Sequence, residues 1–301
     1  MRRRARRDGT NAGSLVVTIF GDLIVPRGGV AAYATLAAIA GMLGVNDSQL
    51  RTALSRLVAE GWLEPRRAGK RAFYALAPEG AARTREAARR IYAVPEAKRA
   101  GPWRVAIFPP MPARARTAAR RPFEWIGFAS AGPTTMIHPD ADPDALASVL
   151  ASLPDDRRPA IVAGPAAPEG PARALIARAW DLPGLGRAWS DLARRLAPAG
   201  PGPRDPERCL RARLLLIHEF RRLALRDPGL PAGLLPRDWP GTRARARLAD
   251  RYRALLAASE AWLDAHGAGP DGKLPRADKS LRRRFAAGHM SQVGLQKRSK
   301  P

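Results

Sequence analysis

Apolar residues recur at helical spacing near the start of the chain, in three short blocks separated by glycine and proline. The first block, Leu15 to Val25, is apolar on nearly every side. It predicts a buried helix, although its β-branched residues also allow a strand. The second block predicts a helix from Ala32 to Leu43. The third predicts a helix from Asp47 to Glu60, with capping side chains at its start.

The third helix has two chemically different faces. Leu50, Leu54 and Leu57 repeat at the spacing of a core stripe. The opposite face carries hydrogen-bonding or cationic side chains and no carboxylate: Ser48, Gln49, Arg51, Thr52, Ser55 and Arg56. Exposed helix faces normally mix carboxylates with cations. The pattern therefore favours contact with DNA, and an ordinary solvated face is the alternative.

A basic hairpin is predicted directly after this helix, from Trp62 to Leu76, as two strands around a Gly-containing turn. Trp62 and Phe73 are predicted core residues. The tip carries four cations: Arg66, Arg67, Lys70 and Arg71. Each of these cations would gain from a phosphate neighbour. Helix, turn, helix and basic hairpin together predict a winged helix-turn-helix domain over residues 14–94.

The periodicity changes after a proline-containing linker at 95–102. Short apolar runs and helical stretches alternate in the order β-α-β-β-α-β, which predicts a ferredoxin-like central domain over residues 102–165. The strands are predicted at 104–108, 124–130, 134–138 and 160–163, and the helices at 113–121 and 142–152. Four further helices predict a helical domain over residues 171–266. The predicted fold class is therefore multidomain α+β.

The net charge of +25 is unevenly distributed. Residues 1–10 carry five arginines and one aspartate, and residues 267–301 carry nine lysines or arginines and two aspartates. We therefore expect a basic disordered arm at 1–13 and a disordered basic tail at 267–301. The remaining positive charge is still large, which favours polyanionic partners such as nucleic acid.

Catalytic and metal-binding patterns are missing from the sequence. A single cysteine, Cys209, excludes an internal disulfide and is predicted to be a core residue. His218-Glu219 is followed at the zinc-ligand spacing by Arg222, so the H-E-x-x-H motif is not present. There is no G-x-S-x-G motif or phosphate-binding loop. We expect neither an enzyme nor a metal or cofactor site.

Two segments superficially resemble membrane or export signals. The basic start with the apolar run after it resembles a secretion signal, but Asp22 interrupts that run. Residues 28–46 are uncharged but rich in alanine and glycine, which predicts a buried helix rather than a membrane span. The expected location is cytoplasmic.

Three strings of the sequence resemble the PaaX family of bacterial repressors, which control phenylacetate degradation. They are SLVVTIFGDLIVPRGG (14–29), VNDSQLRTALSRLVAEGWLEPRRAGKRAFYALAPEG (45–80) and RRIYAVP (89–95). The string LLIHEFRRLALRDPGLPAGLLPRDWPG (215–241) resembles that family's carboxy-terminal domain. The resemblance implies a winged helix, a Cas2-like central domain and a helical effector-associated domain.

The resemblance also implies a mechanism. The helix from Asp47 to Glu60 would enter the major groove of an operator as part of a homodimer. An aryl-CoA effector such as phenylacetyl-CoA would then lower DNA affinity. Such a ligand needs cations and an apolar slot, and the candidate residues are His218, Arg221, Arg222, Asp227, Trp239 and Trp180. The alternative is that the Arg–Asp pairs join helices and the tryptophans are core.

Two other functions stay open at this level. One is a basic protein that coats DNA without sequence preference. The other is a Cas2-like nucleic-acid enzyme, which would need an acidic residue at the end of the first central strand. Here that strand runs into Pro109-Pro110, which argues against metal-dependent cleavage.

Overall fold

A computed structural model describes residues 12–69, 71–92, 102–165, 169–196 and 204–286. The chain divides into two compact units. The first contains residues 1–92, 198–220 and 249–301, and the second contains residues 93–197 and 221–248. Within the described ranges, none of the helices combines the length and apolarity needed to cross a membrane.

The first unit begins with α1 (Ala12–Ile19), which continues as a π turn (Phe20–Ile24) and a 3-10 turn (Val25–Arg27). This segment is helical throughout and buried, so the alternative of a strand is wrong. Pro26, which has no N–H donor, lies at the start of the 3-10 turn, and Gly28 ends the turn with a φ of 90°, which favours glycine. Because α1 begins at Ala12, the predicted arm is too long by two residues, and residues 1–11 lie outside the described residues.

Three helices and three strands complete the N-terminal part of this unit. In chain order they are β1 (Val30–Ala32), α2 (Tyr33–Met42), α3 (Asp47–Ala59), β2 (Leu63–Ala68) and β3 (Arg71–Leu76), followed by α4 (Pro78–Tyr92). The strands form an antiparallel sheet in the order β1-β3-β2. The predicted hairpin is β2–β3. Sequence reasoning missed β1, because a three-residue strand carries too little alternation to detect.

The second unit contains a four-stranded antiparallel sheet in the order β5-β6-β4-β7. Its elements are β4 (Trp103–Ile107), α5 (Ala113–Trp125), β5 (Ala129–Ser130), β6 (Thr135–His138), α6 (Pro143–Ala151), a 3-10 turn (Asp155–Arg157) and β7 (Ala160–Gly164). The strand predicted at 124–130 is wrong over most of its length. The helix continues to Trp125 because Ala119 and Phe123 extend its buried face, and Gly127 then turns the chain with a φ of 98°. Residues 95–101 of the predicted linker lie outside the described residues.

The predicted helical region from 171 to 266 is helical but divides between the two units. Its helices are α7 (Glu169–Ala179), α8 (Leu182–Arg195), α9 (Pro206–Ala224) and α10 (Pro240–His266), with a 3-10 turn at Ala232–Leu234. The first unit includes α9 up to Phe220 and α10 from Ala249 onward. A domain formed by residues 171–266 alone is therefore not one of the two compact units.

Residues 268–286, which we call the C-terminal segment, are ordered in structure, so the predicted disordered tail is wrong here. The segment forms β8 (Ala268–Gly269), β9 (Gly272–Lys273) and α11 (Lys279–Arg283). Leu274, Leu281 and Phe285 are buried and fix it to the first unit. Three apolar residues spaced over twelve positions were too sparse to predict a core contact. Residues 287–301 of the predicted tail lie outside the described residues.

A buried ionic cluster joins the three sequence segments of the first unit. Asp22 accepts hydrogen bonds from Arg213 Nε (2.8 Å), Arg284 Nη1 (2.7 Å), Tyr92 Oη (2.7 Å) and Tyr252 Oη (3.0 Å). Burial by itself would raise the pKa of Asp22, but the two arginines and two phenols outweigh burial and lower it. The buried carboxylate of Asp22 therefore has hydrogen-bond partners on all three sequence segments of the unit.

Candidate DNA-binding site

Helix α3 is positioned by its apolar face and by a capped start. Leu50, Leu54 and Leu57 are buried in the core of the first unit, as predicted. At the start of the helix, Asn46 Oδ1 accepts a hydrogen bond from the Gln49 backbone N–H (2.9 Å), and Gln49 Oε1 accepts one from the Asn46 N–H (3.0 Å). This reciprocal capping box satisfies two N–H groups that the first helical turn leaves unbonded.

The polar face of α3 is exposed. All six residues predicted for it are solvent-accessible: Ser48, Gln49, Arg51, Thr52, Ser55 and Arg56. Three of them already make local hydrogen bonds. Gln49 belongs to the capping box, Thr52 Oγ1 donates to the Ser48 carbonyl (2.9 Å), and Arg51 Nε donates to Asp47. A bidentate contact between Gln49 and adenine would require the capping box to open. Arg51 and Arg56 are stronger candidates for base contact, because their local pairs use Nε and leave the other guanidinium N–H donors for a base edge.

Arg51 is oriented by two neighbours that the sequence analysis did not include. Its Nε donates to Asp47 Oδ2 (2.7 Å), and its guanidinium lies over the Tyr33 ring, 4.8 Å from the centroid. The Tyr33 hydroxyl donates to the other oxygen of Asp47. Hydrogen bonds from Tyr33 and Arg51 lower the pKa of Asp47, so this carboxylate stays ionised at neutral pH. Tyr33 thus links the start of α2 to the start of α3.

Carboxylates flank the polar face even though none lies on it. Besides the Asp47–Arg51 pair, Arg56 lies 3.3 Å from Glu60, and Arg66 pairs with Glu64. These pairs are exposed to solvent, so water and salt screen them and a phosphate can compete for the arginines. The capping-box spacing of Asn46 and Gln49 could have been recognised in the sequence, but the role of Tyr33 could not.

The tip of the β2–β3 hairpin is exposed and basic. Its strands pair in register from Leu63↔Leu76 to Ala68↔Arg71, and Gly69 takes a φ of 58° in the turn. Phe73 is buried below the tip as predicted, whereas Trp62 is only half-buried. Arg66, Arg67 and Arg71 are exposed, and Lys70 lies outside the described residues.

The residues predicted for effector binding fall in both units. His218 belongs to the first unit, where it is buried with Nδ1 2.9 Å from Thr18 Oγ1 on α1. Asp227 belongs to the second and is buried, accepting a hydrogen bond from Trp189 Nε1 (2.9 Å) and lying 3.8 Å from Arg245. Both side chains therefore have structural partners, which fits the alternative in which they join helices.

One groove of the second unit contains a predicted effector residue. It has a volume of about 420 Å³, and Trp239 forms part of its wall. The other lining residues are Leu182, Pro183, Gly186, Arg187, Ser190, Asp191, Pro236 and Pro240. The remaining predicted residues do not line it: Trp180 and Arg221 are half-buried and Arg222 is exposed. The groove combines apolar walls with one arginine and one aspartate.

A capped helix with an exposed polar face, a second helix joined to its start and a basic hairpin are together typical of DNA-binding transcriptional regulators. Residues 11–80 match the family described as PaaX-like protein, and residues 180–265 match the PaaX-like protein C-terminal domain. The chain therefore belongs to the PaaX family, which confirms the resemblance noted in the sequence.

Two individual proteins are similar over most of the chain. The transcriptional repressor PaaX of Escherichia coli (strain K12) is 30% identical over 291 residues, which cover 94% of this chain and 92% of the relative. The solved structure of the uncharacterized protein Rv0674 from Mycobacterium tuberculosis is 26% identical, with a TM-score of 0.53, covering 84% of this chain and 98% of that one. This homology supports a transcriptional repressor rather than an enzyme.

Proposed function

We propose that residues 12–92 form a winged helix-turn-helix domain in which α3 enters the major groove of an operator. The observation that carries this proposal is the exposed, carboxylate-free face of α3 beside an exposed basic hairpin. An arginine on such a face pairs bidentately with guanine, which is worth roughly 1 to 3 kcal/mol of discrimination. Arg51 and Arg56 read base edges, while Ser48, Thr52 and Ser55 contact base edges or phosphates.

The β2–β3 hairpin acts as the wing in this proposal. Its exposed arginines contact the sugar-phosphate backbone or the minor groove, together with Lys70. The strand order β1-β3-β2 supports this role, because β2, the strand that follows α3, lies at an edge of the sheet. The β5-β6-β4-β7 order likewise supports a ferredoxin-like, Cas2-like central domain.

The regulated genes in this proposal are an aromatic or phenylacetate catabolic operon, and an aryl-CoA ester such as phenylacetyl-CoA releases the repressor. Support comes from family membership and from the groove beside Trp239, whose apolar walls suit an acyl group. A hundredfold release of DNA requires about 2.7 kcal/mol of coupling between the two sites. The operator is bound by a homodimer, as symmetric operators require.

Fluorescence anisotropy tests the DNA-binding part. We expect a duplex from the gene's own upstream region to bind more tightly than a scrambled duplex at the same salt concentration. Arg51→Ala and Arg56→Ala should reduce this preference. Arg194→Ala, which removes an exposed arginine of α8, is the control and should leave the preference unchanged. Equal binding of both duplexes by the natural protein would contradict sequence recognition.

The same assay with phenylacetyl-CoA tests the effector. We expect the ester to weaken binding to the upstream duplex, with free coenzyme A as the control. Trp239→Phe should shift the ester concentration needed for release without changing DNA affinity in its absence. If DNA binding is selective but the ester does not change it, the proposed repressor function stands and phenylacetyl-CoA is excluded as its effector.

A further inference from the structure

The C-terminal segment is built into the first unit by buried contacts. Arg284 is buried and donates to Asp22 Oδ1 (2.7 Å) and to the Gly21 carbonyl (2.9 Å). The Asp278 N–H donates to the Pro26 carbonyl (2.8 Å), and the Phe285 N–H donates to the Tyr92 carbonyl (3.0 Å). The position of this segment on the domain that carries α3 is therefore determined at several points.

The β8–β9 hairpin of the C-terminal segment lies at the first turn of α2. Thr35 Oγ1 accepts a hydrogen bond from the Ala268 N–H (2.8 Å) and donates to the Ala268 carbonyl (3.3 Å). Two residues earlier, Tyr33 bonds to Asp47 at the start of α3. The same helical turn therefore contacts both the hairpin and the start of α3, the recognition helix of the proposed function.

The outer surface of the C-terminal segment is basic. Its exposed cations are Lys273, Arg276, Lys279, Arg282 and Arg283. Within the described ranges, none of these five side chains lies at ion-pair distance from a carboxylate. One aspartate of the segment, Asp278, caps α11 by accepting a hydrogen bond from the Ser280 N–H (2.8 Å). By contrast, Arg51, Arg56 and Arg66 each have a carboxylate partner.

Cations that are held in position without a carboxylate partner are well suited to bind duplex phosphates. They release condensed counterions on binding and do not first have to leave a carboxylate. Since the segment is anchored by buried side chains, it also loses little conformational entropy when DNA binds.

We propose that the C-terminal segment is a second DNA-backbone contact, which binds phosphates beside the recognition helix without reading sequence. This inference rests on the proposed DNA-binding function. It assigns a role to residues 268–286, which lie beyond both matched family regions. The segment adds affinity equally for every sequence, whereas α3 supplies the preference.

The test compares two charge-matched double variants. Lys273→Ala with Arg276→Ala removes two exposed cations from the C-terminal segment. Arg208→Ala with Arg211→Ala removes two exposed cations from α9. The other side of this helix packs into the core through Leu210 and Leu214, and His218 contacts Thr18 of α1. Thermal unfolding followed by circular dichroism checks that both variants remain folded.

Anisotropy is measured on the upstream and scrambled duplexes over a range of salt concentrations. We expect the segment variant to bind both duplexes more weakly by the same factor. We also expect the slope of log K against log salt to fall by up to about 1.8, at roughly 0.9 for each phosphate that the variant no longer neutralises. The α9 control should change neither quantity. Replacing Lys273 and Arg276 by glutamate should weaken binding further.

The outcomes separate the two proposals. If the natural protein binds both duplexes equally, sequence recognition by α3 fails, although the segment can still be tested on either duplex. If the natural protein binds selectively but the segment variant matches the α9 control, the second contact is wrong and the repressor stands. A loss of affinity confined to the upstream duplex would also overturn the inference, since the segment would then read sequence.

Discussion

In the first unit, the carboxylate of Asp22 is fully buried between two arginines, while the sheet of the second unit packs on Phe108, Phe123 and Phe128. The hydrogen bonds of Asp22 reach 191 residues to Arg213 and 262 residues to Arg284. The three phenylalanines lie within one stretch of 21 residues, with ring centroids 5.3 Å apart in edge-to-face contacts.

The difference shows two ways of specifying a core. Apolar contact is non-directional. It is enough to specify a core where the segments that pack together are also close in the sequence. A buried ion pair requires defined partners at defined distances, and it is strongly destabilised when one partner is removed. We infer that the cluster around Asp22 selects the correct placement of α9, α10 and the C-terminal segment on the π turn that follows α1.

The largest expected effect comes from removing the central charge. Asp22→Ala leaves Arg213 and Arg284 buried without their shared carboxylate, and we expect a loss of about 3 to 5 kcal/mol in the free energy of unfolding. Urea denaturation followed by circular dichroism measures it. Asp250→Ala removes an exposed carboxylate of α10 and is the control, with a loss of about 0.5 kcal/mol at most. A similar small loss for Asp22→Ala would contradict the inference.

The aromatic core of the second unit should respond through packing alone. Phe123 is completely buried, so Phe123→Ala should cost about 3 to 4 kcal/mol by creating a cavity. The comparison is sharpened by Phe123→Leu, which retains most of the buried volume and should cost clearly less. If both variants were equally unstable, shape rather than cavity volume would dominate this core.

Acid should selectively reduce the stability that the buried Asp22 cluster gives to the first unit. Because the pKa of Asp22 is lowered in the folded state, its contribution to stability is complete above the unfolded pKa of about 3.9. That contribution is lost as the pH falls through this value toward the lower folded pKa. Urea denaturation at pH 5, 4 and 3 should therefore show the advantage of the natural protein over Asp22→Asn shrinking. For Phe123→Leu, the difference from the natural protein should stay constant over the same range.

The smallest effect is expected at the attachment of the β8–β9 hairpin. Thr35→Ala removes both hydrogen bonds to Ala268 and should cost about 1 to 2 kcal/mol, because it leaves a backbone N–H without its partner. Thr35→Ser keeps the hydroxyl and should cost less. Amide hydrogen exchange at residues 268–273 should rise in the alanine variant; unchanged exchange would show that the buried side chains alone hold the hairpin.

The exposed polar face of α3 and the β2–β3 hairpin could be predicted from the sequence, whereas their contact with DNA stays a prediction. The face follows from apolar residues three and four positions apart, and the start of the helix follows from capping side chains three residues apart. Both are local relations that hold wherever the helix lies. Only the tertiary structure shows the partners of Arg51 and the local hydrogen bonds of Gln49 and Thr52, because these depend on side-chain geometry.

The effector residues could not be predicted in the same way. They were chosen for chemistry expected of a ligand site, but buried Asp227 is bonded to Trp189, and buried His218 lies against Thr18. Only Trp239 among them lines the groove of the second unit. Residue type does not reveal whether a polar side chain faces a ligand or another helix.

By itself, then, the sequence determined helix α3 with its polar face, the basic hairpin and membership of the PaaX family, because each depends on spacing within a short stretch or on long matching strings. The tertiary structure decided that residues 268–286 fold onto the first unit and that Asp22 meets Arg213 and Arg284. Such contacts depend on where the chain returns after some two hundred residues, and neither periodicity nor composition carries that information.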